Sequence, residues 1–126
     1  MILIGDKNIR YENIEKIDSI SDISSTKPNS TVLFNFDMEL LKYTQSNEIN
    51  SAVIVNNIKE IIYSSSLNAR YIIVSQELSK IAQKIADNYM LDSKILVIIN
   101  SEDEMEQNAI DEIDGVIYLN RIENEK

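Results

Sequence analysis

Residues 71–100 read YIIVSQELSKIAQKIADNYMLDSKILVIIN, and the architecture of the chain can be inferred from them. Each end of this stretch has four to six consecutive apolar residues, many of them β-branched, as in strands that are covered on both faces. Between the ends, one wide apolar stripe at helical spacing comprises Leu78, Ile81, Ala82, Ile85, Ala86, Tyr89 and Met90. The stretch therefore predicts a βαβ unit, in which two parallel strands are joined by a helix that packs its stripe onto the sheet.

The same alternation extends over most of the chain. Strands are predicted at residues 2–4, 31–36, 52–55, 71–75, 94–99 and 116–119, and helices at residues 37–46, 58–67, 76–90 and 102–113. The last of these helices is expected to turn Met105, Ala109, Ile110 and Ile113 inward. Residues 1–30 are predicted as an irregular segment with a second strand at 13–17, antiparallel to the first at a sheet edge. Residues 120–126 are predicted as a polar tail.

This pattern predicts a single α/β domain over residues 1–126, with repeated βα units at 31–119 and a mostly parallel sheet of about five to six strands. One way to arrange the sheet is the open, three-layer form of flavodoxin and Rossmann folds, with helices on both faces. The alternative is a half of a (β/α)8 barrel, which needs a partner to close. Residues 68–74 and 113–119 resemble the helix-to-strand junctions of barrel enzymes. We favour the open sheet, because it leaves no unpaired barrel edge in a monomer.

The composition argues against several kinds of chemistry. The chain has no cysteine and no histidine, so it offers no disulfide, no thiolate nucleophile and no imidazole base or zinc ligand. Gly5 and Gly115 are the only glycines, and neither of the glycine-rich phosphate-binding patterns occurs. We therefore expect no cofactor and no metal, and the composition favours a non-enzymatic protein over an enzyme.

The negative charge is concentrated near the C-terminus. The net charge is −9, and residues 101–126 hold nine acidic side chains against Arg121 and Lys126. An acidic surface repels nucleic acid and anionic lipid, so neither is expected as a partner. No apolar run has the length of a membrane span, and residues 1–6 lack the basic residues of a signal peptide, so a cytoplasmic location is expected.

Polar residues follow the predicted strands at the edge where open α/β sheets bind ligands. These candidate ligand-binding residues are Asp6, Asp37, Asn56, Asn57 and Asn100. The competing interpretation is helix capping, because Asp, Asn and Ser accept hydrogen bonds from the first N–H groups of a helix. Asn57 with Glu60 and Ser101 with Glu104 have the spacing of a capping box, and for these pairs we favour capping.

Two more specific sites fit the sequence poorly. A receiver-type phosphoacceptor site needs an aspartate after a central strand and a lysine after a later one, but the central strand ends in Asn56 and Asn57 and no such lysine follows. The acidic residues at 102–106 would attract Mg²⁺ or Ca²⁺, yet they lack the spacing and the glycine of a calcium loop. Acidic residues are also favourable in the first turn of a helix, which is the simpler interpretation.

Two hypotheses of function follow. The first is association with protein, either other copies of this chain or a basic partner that is drawn to the acidic C-terminal residues. The second is binding of a small molecule, such as a phosphorylated metabolite or a divalent ion, or weak catalysis, at the carboxyl ends of the strands.

Overall fold

The computed structural model describes residues 1–123. The strands are β1 (Ile2–Ile4), β2 (Ile14–Lys16), β3 (Thr31–Asn35), β4 (Ser51–Ile54), β5 (Tyr71–Val74), β6 (Lys94–Ile99) and β7 (Gly115–Tyr118). The α-helices are α1 (Met38–Ser46), α2 (Ile58–Ser66), α3 (Ser79–Asn88), α4 (Glu102–Ile110) and α5 (Asn120–Glu123). Short 3₁₀ helices span Ile20–Ser25 and Gln76–Leu78. Of the predicted polar tail, residues 120–123 are helical and residues 124–126 lie outside the described residues.

All seven strands are parallel and form one sheet in the order β1-β7-β6-β5-β4-β3-β2. The βαβ unit predicted from residues 71–100 is confirmed, because β5 pairs with β6 in parallel and Tyr71 lies opposite Lys94. Its helix is shorter than the apolar stripe predicts. The first turn is the 3₁₀ helix Gln76–Leu78, and α3 ends at Asn88.

The α/β class and the parallel sheet are confirmed, and the sheet is curled. From β2 to β7 each strand lies beside the next one in the chain, so right-handed crossovers place α1 to α4 on the same side. Leu41 of α1, Ile61 of α2 and Ala82 of α3 accordingly share one core on this outer face. Crossover helices on both faces would need a strand order that reverses, and the order from β2 to β7 does not. The short helix α5 follows the last strand, and its Ile122 packs against the inner core. The layout is therefore closer to the barrel alternative than to the flavodoxin arrangement.

The inner face of the sheet has a second core, to which alternate strand residues such as Leu33, Ile73 and Leu96 contribute. Residues 5–13 run from the carboxyl end of β1 to the amino end of β2, and Tyr11 packs against this inner core. The prediction that the second strand is antiparallel to the first is wrong, because β2 pairs with β3 in parallel. The nine connecting residues can reach about 30 Å, which is enough to return the chain to the amino edge of the sheet.

Two contacts show the curvature of the sheet. Strands β2 and β5 are three strand spacings apart, about 14 Å in a flat sheet. Even so, the carboxylate of Glu12, two residues before β2, accepts a hydrogen bond from the hydroxyl of Tyr71 at 2.5 Å. Arg121, which follows β7, donates to the carbonyl of Ile14 in β2 at 2.8 Å. The curl thus brings strands that are not neighbours in the sheet within reach of single side chains.

Candidate functional site

Four of the five predicted ligand-binding residues lie at the starts of helices, including Asn100, whose N–H donates to the Glu104 carboxylate at 3.0 Å. The Asp37 carboxylate accepts a hydrogen bond from the N–H of Leu40 at 3.2 Å, and the Asn57 side chain accepts one from the N–H of Glu60 at 2.9 Å. The N–H of Asn56 donates to the Glu60 carboxylate at 2.8 Å. These bonds satisfy backbone groups that a helix start leaves without partners, so the capping interpretation accounts for them.

Asp6 and Asn100 come together at the carboxyl edge of the sheet. They line one cavity of about 290 Å³ with Gly5, Lys7, Ser101, Glu102, Tyr118 and Asn120, and Asp37, Asn56 and Asn57 do not line it. Asp6 is 8% exposed and accepts hydrogen bonds from the N–H of Asn8 at 2.7 Å and the hydroxyl of Tyr118 at 3.2 Å. Partial burial raises the pKa of Tyr118, and the bond to Asp6 raises it further. The phenol therefore remains a hydrogen-bond donor at neutral pH.

A cluster at the opposite, amino edge joins residues that are far apart in the sequence. The Glu12 carboxylate accepts hydrogen bonds from the hydroxyls of Thr31 and Tyr71, both at 2.5 Å, and lies 3.2 Å from Nε of Arg70. Burial raises the pKa of Glu12, but the hydroxyl bonds and the charge of Arg70 outweigh burial, so the pKa is lowered overall. Burial and the bond to Glu12 raise the pKa of Tyr71. No local pattern marks this cluster, because 58 residues separate Glu12 from Arg70.

The amino edge beside this cluster opens into a cavity of about 680 Å³, whose walls include Arg70, Ser93 and Lys94. The hydroxyl of Ser93 donates to the carbonyl of Ala69 at 2.5 Å, and the charge of Arg70 is matched by Glu12. Two of the polar side chains in this cavity are therefore engaged by the protein itself. Among residues 1–123, no group of three or more His, Cys, Asp or Glu side chains is placed to hold a metal ion.

The outer surface carries an apolar groove between α2 and α3. The groove encloses about 660 Å³ and is lined by Ile58, Ile62, Ser65, Ser66, Ile85, Tyr89 and Leu91. Ile58 is 43% exposed, Ile62 53% and Tyr89 76%. Isoleucine is among the residues that folded proteins most often bury. The groove therefore presents apolar side chains of both helices to solvent.

The groove contains residues that the sequence predicts to face the sheet. The expectation that the whole stripe of residues 78–90 is covered is wrong, since Ile81 is 41%, Tyr89 76% and Met90 85% exposed. Helix α3 packs on the sheet through Ala82 and Ala86, which are buried. It ends before Tyr89, and Met90 has a positive φ of 50°, so the chain turns away there and the end of the stripe stays uncovered.

Helix α4 also presents an apolar side chain to solvent. Ile110 is 72% exposed and Ala109 is exposed, so the prediction that they face inward is wrong. Asn108, which is fully buried, faces inward instead. Its amide donates to the side-chain oxygen of Gln76 at 3.0 Å and accepts from the side-chain nitrogen of Gln76 at 3.1 Å. Because residues two apart lie on different sides of a helix, burial of Asn108 leaves Ile110 facing outward.

Charge is divided unevenly among these helices. Helix α4 carries Glu102, Asp103, Glu104 and Glu106 and no basic residue. Helices α2 and α3 together carry three lysines and two acidic residues. Lys80 pairs with Asp111 at 4.0 Å, and Glu60 and Asp87 offset the charges of Lys59 and Lys84. The groove therefore lies between helices of balanced charge, and the acid-rich surface lies on α4.

No protein-family model and no curated protein matches the chain. No helix among residues 1–123 has the length and apolar character that crossing a membrane requires. The function is therefore inferred from the groove, the two sheet edges and the distribution of charge.

Proposed function

We propose that this chain is a non-enzymatic cytoplasmic α/β domain that acts by binding protein, a copy of itself or another chain, through the groove between α2 and α3. The observation that carries the proposal is the exposure of Ile58, Ile62 and Tyr89 around a space of about 660 Å³. Burial of apolar surface contributes about 25 cal/mol per Å². A tyrosine buries about 150–250 Å² in a contact, so covering the exposed part of Tyr89 contributes about 3 kcal/mol before the costs of association.

The surroundings of the other polar residues support this proposal. Asp37 and Asn57 cap helices, and the carboxylates of Glu12 and Asp6 are bonded within the protein. The chain also lacks the histidine and cysteine side chains on which many catalytic sites depend. The apolar groove is a surface feature that these internal bonds do not account for.

The variant Ile62→Asp tests the proposal, because it places a charge in the groove at a side chain that is already 53% exposed. Ile9→Asp is the control, since Ile9 is 47% exposed in the segment between β1 and β2 and receives the same change of charge. Molar mass by light scattering measures self-association, and capture of proteins from lysate on the immobilised chain measures binding of other partners. We expect wild type and Ile9→Asp to associate and Ile62→Asp to lose that association. A monomeric wild type that captures the same proteins as Ile62→Asp would contradict the proposal.

A second candidate function is the binding of a phosphorylated metabolite or a divalent ion at the carboxyl edge of the sheet. It is favoured by the cavity that Asp6 and Asn100 share. A thermal-shift screen tests it, because a ligand at about 100 times its Kd that binds only the native state adds about 2.7 kcal/mol of stability. The shift should be absent in Asn100→Ala. If no ligand stabilises wild type more than Asn100→Ala, this candidate is wrong.

A further inference from the structure

We infer that α5 is a clasp across the open side of the curled sheet, and that it detaches while the sheet stays folded and so uncovers the inner core between β1 and β2. The inference is independent of the groove between α2 and α3. It is carried by the contacts of α5 with the two edge strands, β1 and β2, and with the residues beside them.

The open side of the sheet lies between β1 and β2. Each is an edge strand, so one row of its backbone groups faces away from the sheet. The carbonyl of Asn13 accepts a hydrogen bond from the N–H of Thr31 at 2.9 Å, and the N–H of Ile17 donates to the carbonyl of Leu33 at 2.9 Å. Backbone groups of successive strand residues point in opposite directions, so the carbonyl of Ile14 faces the open side.

Arg121 of α5 reaches across this opening. Its guanidinium donates to the carbonyl of Ile14 at 2.8 Å and lies 5.7 Å from the centre of the Tyr11 ring. Its aliphatic stem passes Gly5, which directly follows β1 and at which a Cβ would lie 2.7 Å from Cγ of Arg121. One side chain therefore contacts the end of β1, the segment 5–13 and the free edge of β2. It donates where an adjacent strand would otherwise donate.

The rest of α5 covers the core beside this contact. Ile122 is partly buried and packs against the inner core, to which Ile4 and Ile14 of the two edge strands contribute. Asn120 lines the carboxyl-edge cavity together with Gly5. Detachment of α5 would therefore release the carbonyl of Ile14, uncover apolar side chains and remove part of the cavity wall.

The position of α5 in the fold allows it to open separately. It spans four residues, and a helix of about one turn is not stable by itself, because the first turn fixes several dihedral angles for one hydrogen bond. It follows the last strand, so its detachment breaks no strand pair, whereas β7 is paired with both β1 and β6. Segments that bury few apolar side chains open at lower free energies than core strands.

Thiol labelling of the native protein tests the inference. The chain has no cysteine, so Ile122→Cys introduces a single thiol beneath the clasp. Ile9→Cys, at a position 47% exposed, and Val97→Cys, at a position 0% exposed, are the references. We expect the thiol of Ile122→Cys to react with an aromatic disulfide more slowly than that of Ile9→Cys. It should react at least about 100-fold faster than that of Val97→Cys, because α5 opens without global unfolding.

Dependence on urea distinguishes the two kinds of opening. The rate for Val97→Cys should rise steeply with urea, since global unfolding exposes much surface. The rate for Ile122→Cys should change little at low urea, since detachment of one turn exposes little surface. Circular dichroism checks that each variant is folded.

Variants of Arg121 test its part in the clasp. Arg121→Ala, combined with Ile122→Cys, should raise the labelling rate about tenfold, because the bond to Ile14 and the contact with Tyr11 are lost. Arg10→Ala removes the same charge from an exposed position of the segment 5–13 and should leave the rate unchanged. Neither substitution should change the rate for Val97→Cys.

Two results of labelling would overturn the inference. If the thiol of Ile122→Cys reacts as slowly as that of Val97→Cys and with the same dependence on urea, α5 leaves the sheet only on global unfolding. If it reacts as fast as that of Ile9→Cys and Arg121→Ala has no effect, α5 does not close the sheet. Hydrogen exchange of the wild type by NMR provides a check without substitution, and equal exchange of the Ile122 and Val97 amides would also overturn the inference.

Discussion

Replacing Glu12 with glutamine tests the cluster that anchors residues 5–13 across the inner face of the sheet. Glutamine keeps the size of the side chain and one carbonyl acceptor but removes the negative charge. The hydroxyls of Thr31 and Tyr71 donate to different oxygens of Glu12, so in the variant one of them donates to the amide oxygen and the other has to accept from the amide NH2. Both bonds become neutral, a loss of about 1 kcal/mol each. The pair with Arg70, whose side chain is 49% exposed, adds less than about 1 kcal/mol. Because the Glu12 side chain is itself 31% exposed, water recovers part of this loss, and we expect a net cost of about 2 kcal/mol at pH 7.

The loss of unfolding free energy in Glu12→Gln should depend on pH, because the pKa of Glu12 in the folded protein is lowered from its ordinary value of 4.5. The stability that the ionised carboxylate contributes is fully present above that ordinary value. It is lost as the pH falls through the lower pKa of the folded state. The difference in free energy of unfolding between wild type and Glu12→Gln should therefore be largest at neutral pH. It should approach zero in acid, where Glu12 of the wild type is protonated.

Urea unfolding at a series of pH values measures this difference. Glu39→Gln is the control, since Glu39 is exposed on α1 and has the same charge. Its effect should stay below about 0.5 kcal/mol. Tyr71→Phe completes a double-mutant cycle with Glu12→Gln, and the coupling energy should be about 1 kcal/mol. A cost for Glu12→Gln below about 0.5 kcal/mol, or one that is equal at pH 7 and in acid, would show that the charge of Glu12 does not stabilise the fold.

Three further substitutions test other parts of the fold. In Gly115→Ala the new Cβ would lie 2.6 Å from the carbonyl oxygen of Ile2, so β1 must move away from β7. We expect the free energy of unfolding to fall by about 1–3 kcal/mol and the β1 amides to exchange hydrogen faster by NMR. Asn57→Ala removes the cap of α2 and should cost about 1 kcal/mol in urea unfolding, whereas Asn88→Ala, at the exposed end of α3, should be nearly neutral. Ile62→Asp should change the free energy of unfolding by about 1 kcal/mol or less, because its side chain is half exposed; a larger loss would show that Ile62 belongs to the core.

Local pattern was enough to predict the βαβ units. The apolar runs at 71–74 and 94–99 are strands, and the spacing of Ala82 and Ala86 predicts their burial in the helix between them. The caps at Asn57 and Ser101 were also predictable, because a cap depends on residues three positions apart. In each case the deciding interactions lie within one turn of helix or one strand.

The strand order, the curl and the surfaces required the tertiary structure. The sequence pattern of α4 does not show whether Ile110 faces inward or outward. In the structure Asn108 faces inward and bonds with Gln76, 32 residues away, so Ile110 faces outward. The cluster of Glu12 with Tyr71 likewise depends on the curvature of the sheet, which no local pattern records.

The amino-acid sequence was therefore enough to predict the alternation of strands and helices from residue 31 to residue 119 and the parallel pairing within it, but not the direction of β2 or the helix α5. The packing of the helices on the sheet decides which parts of each helix are covered. It therefore also decides which isoleucines remain exposed. The physical reason is that hydrophobic burial depends on the area that neighbouring elements cover, and that area is a property of the assembled layers and not of any one segment.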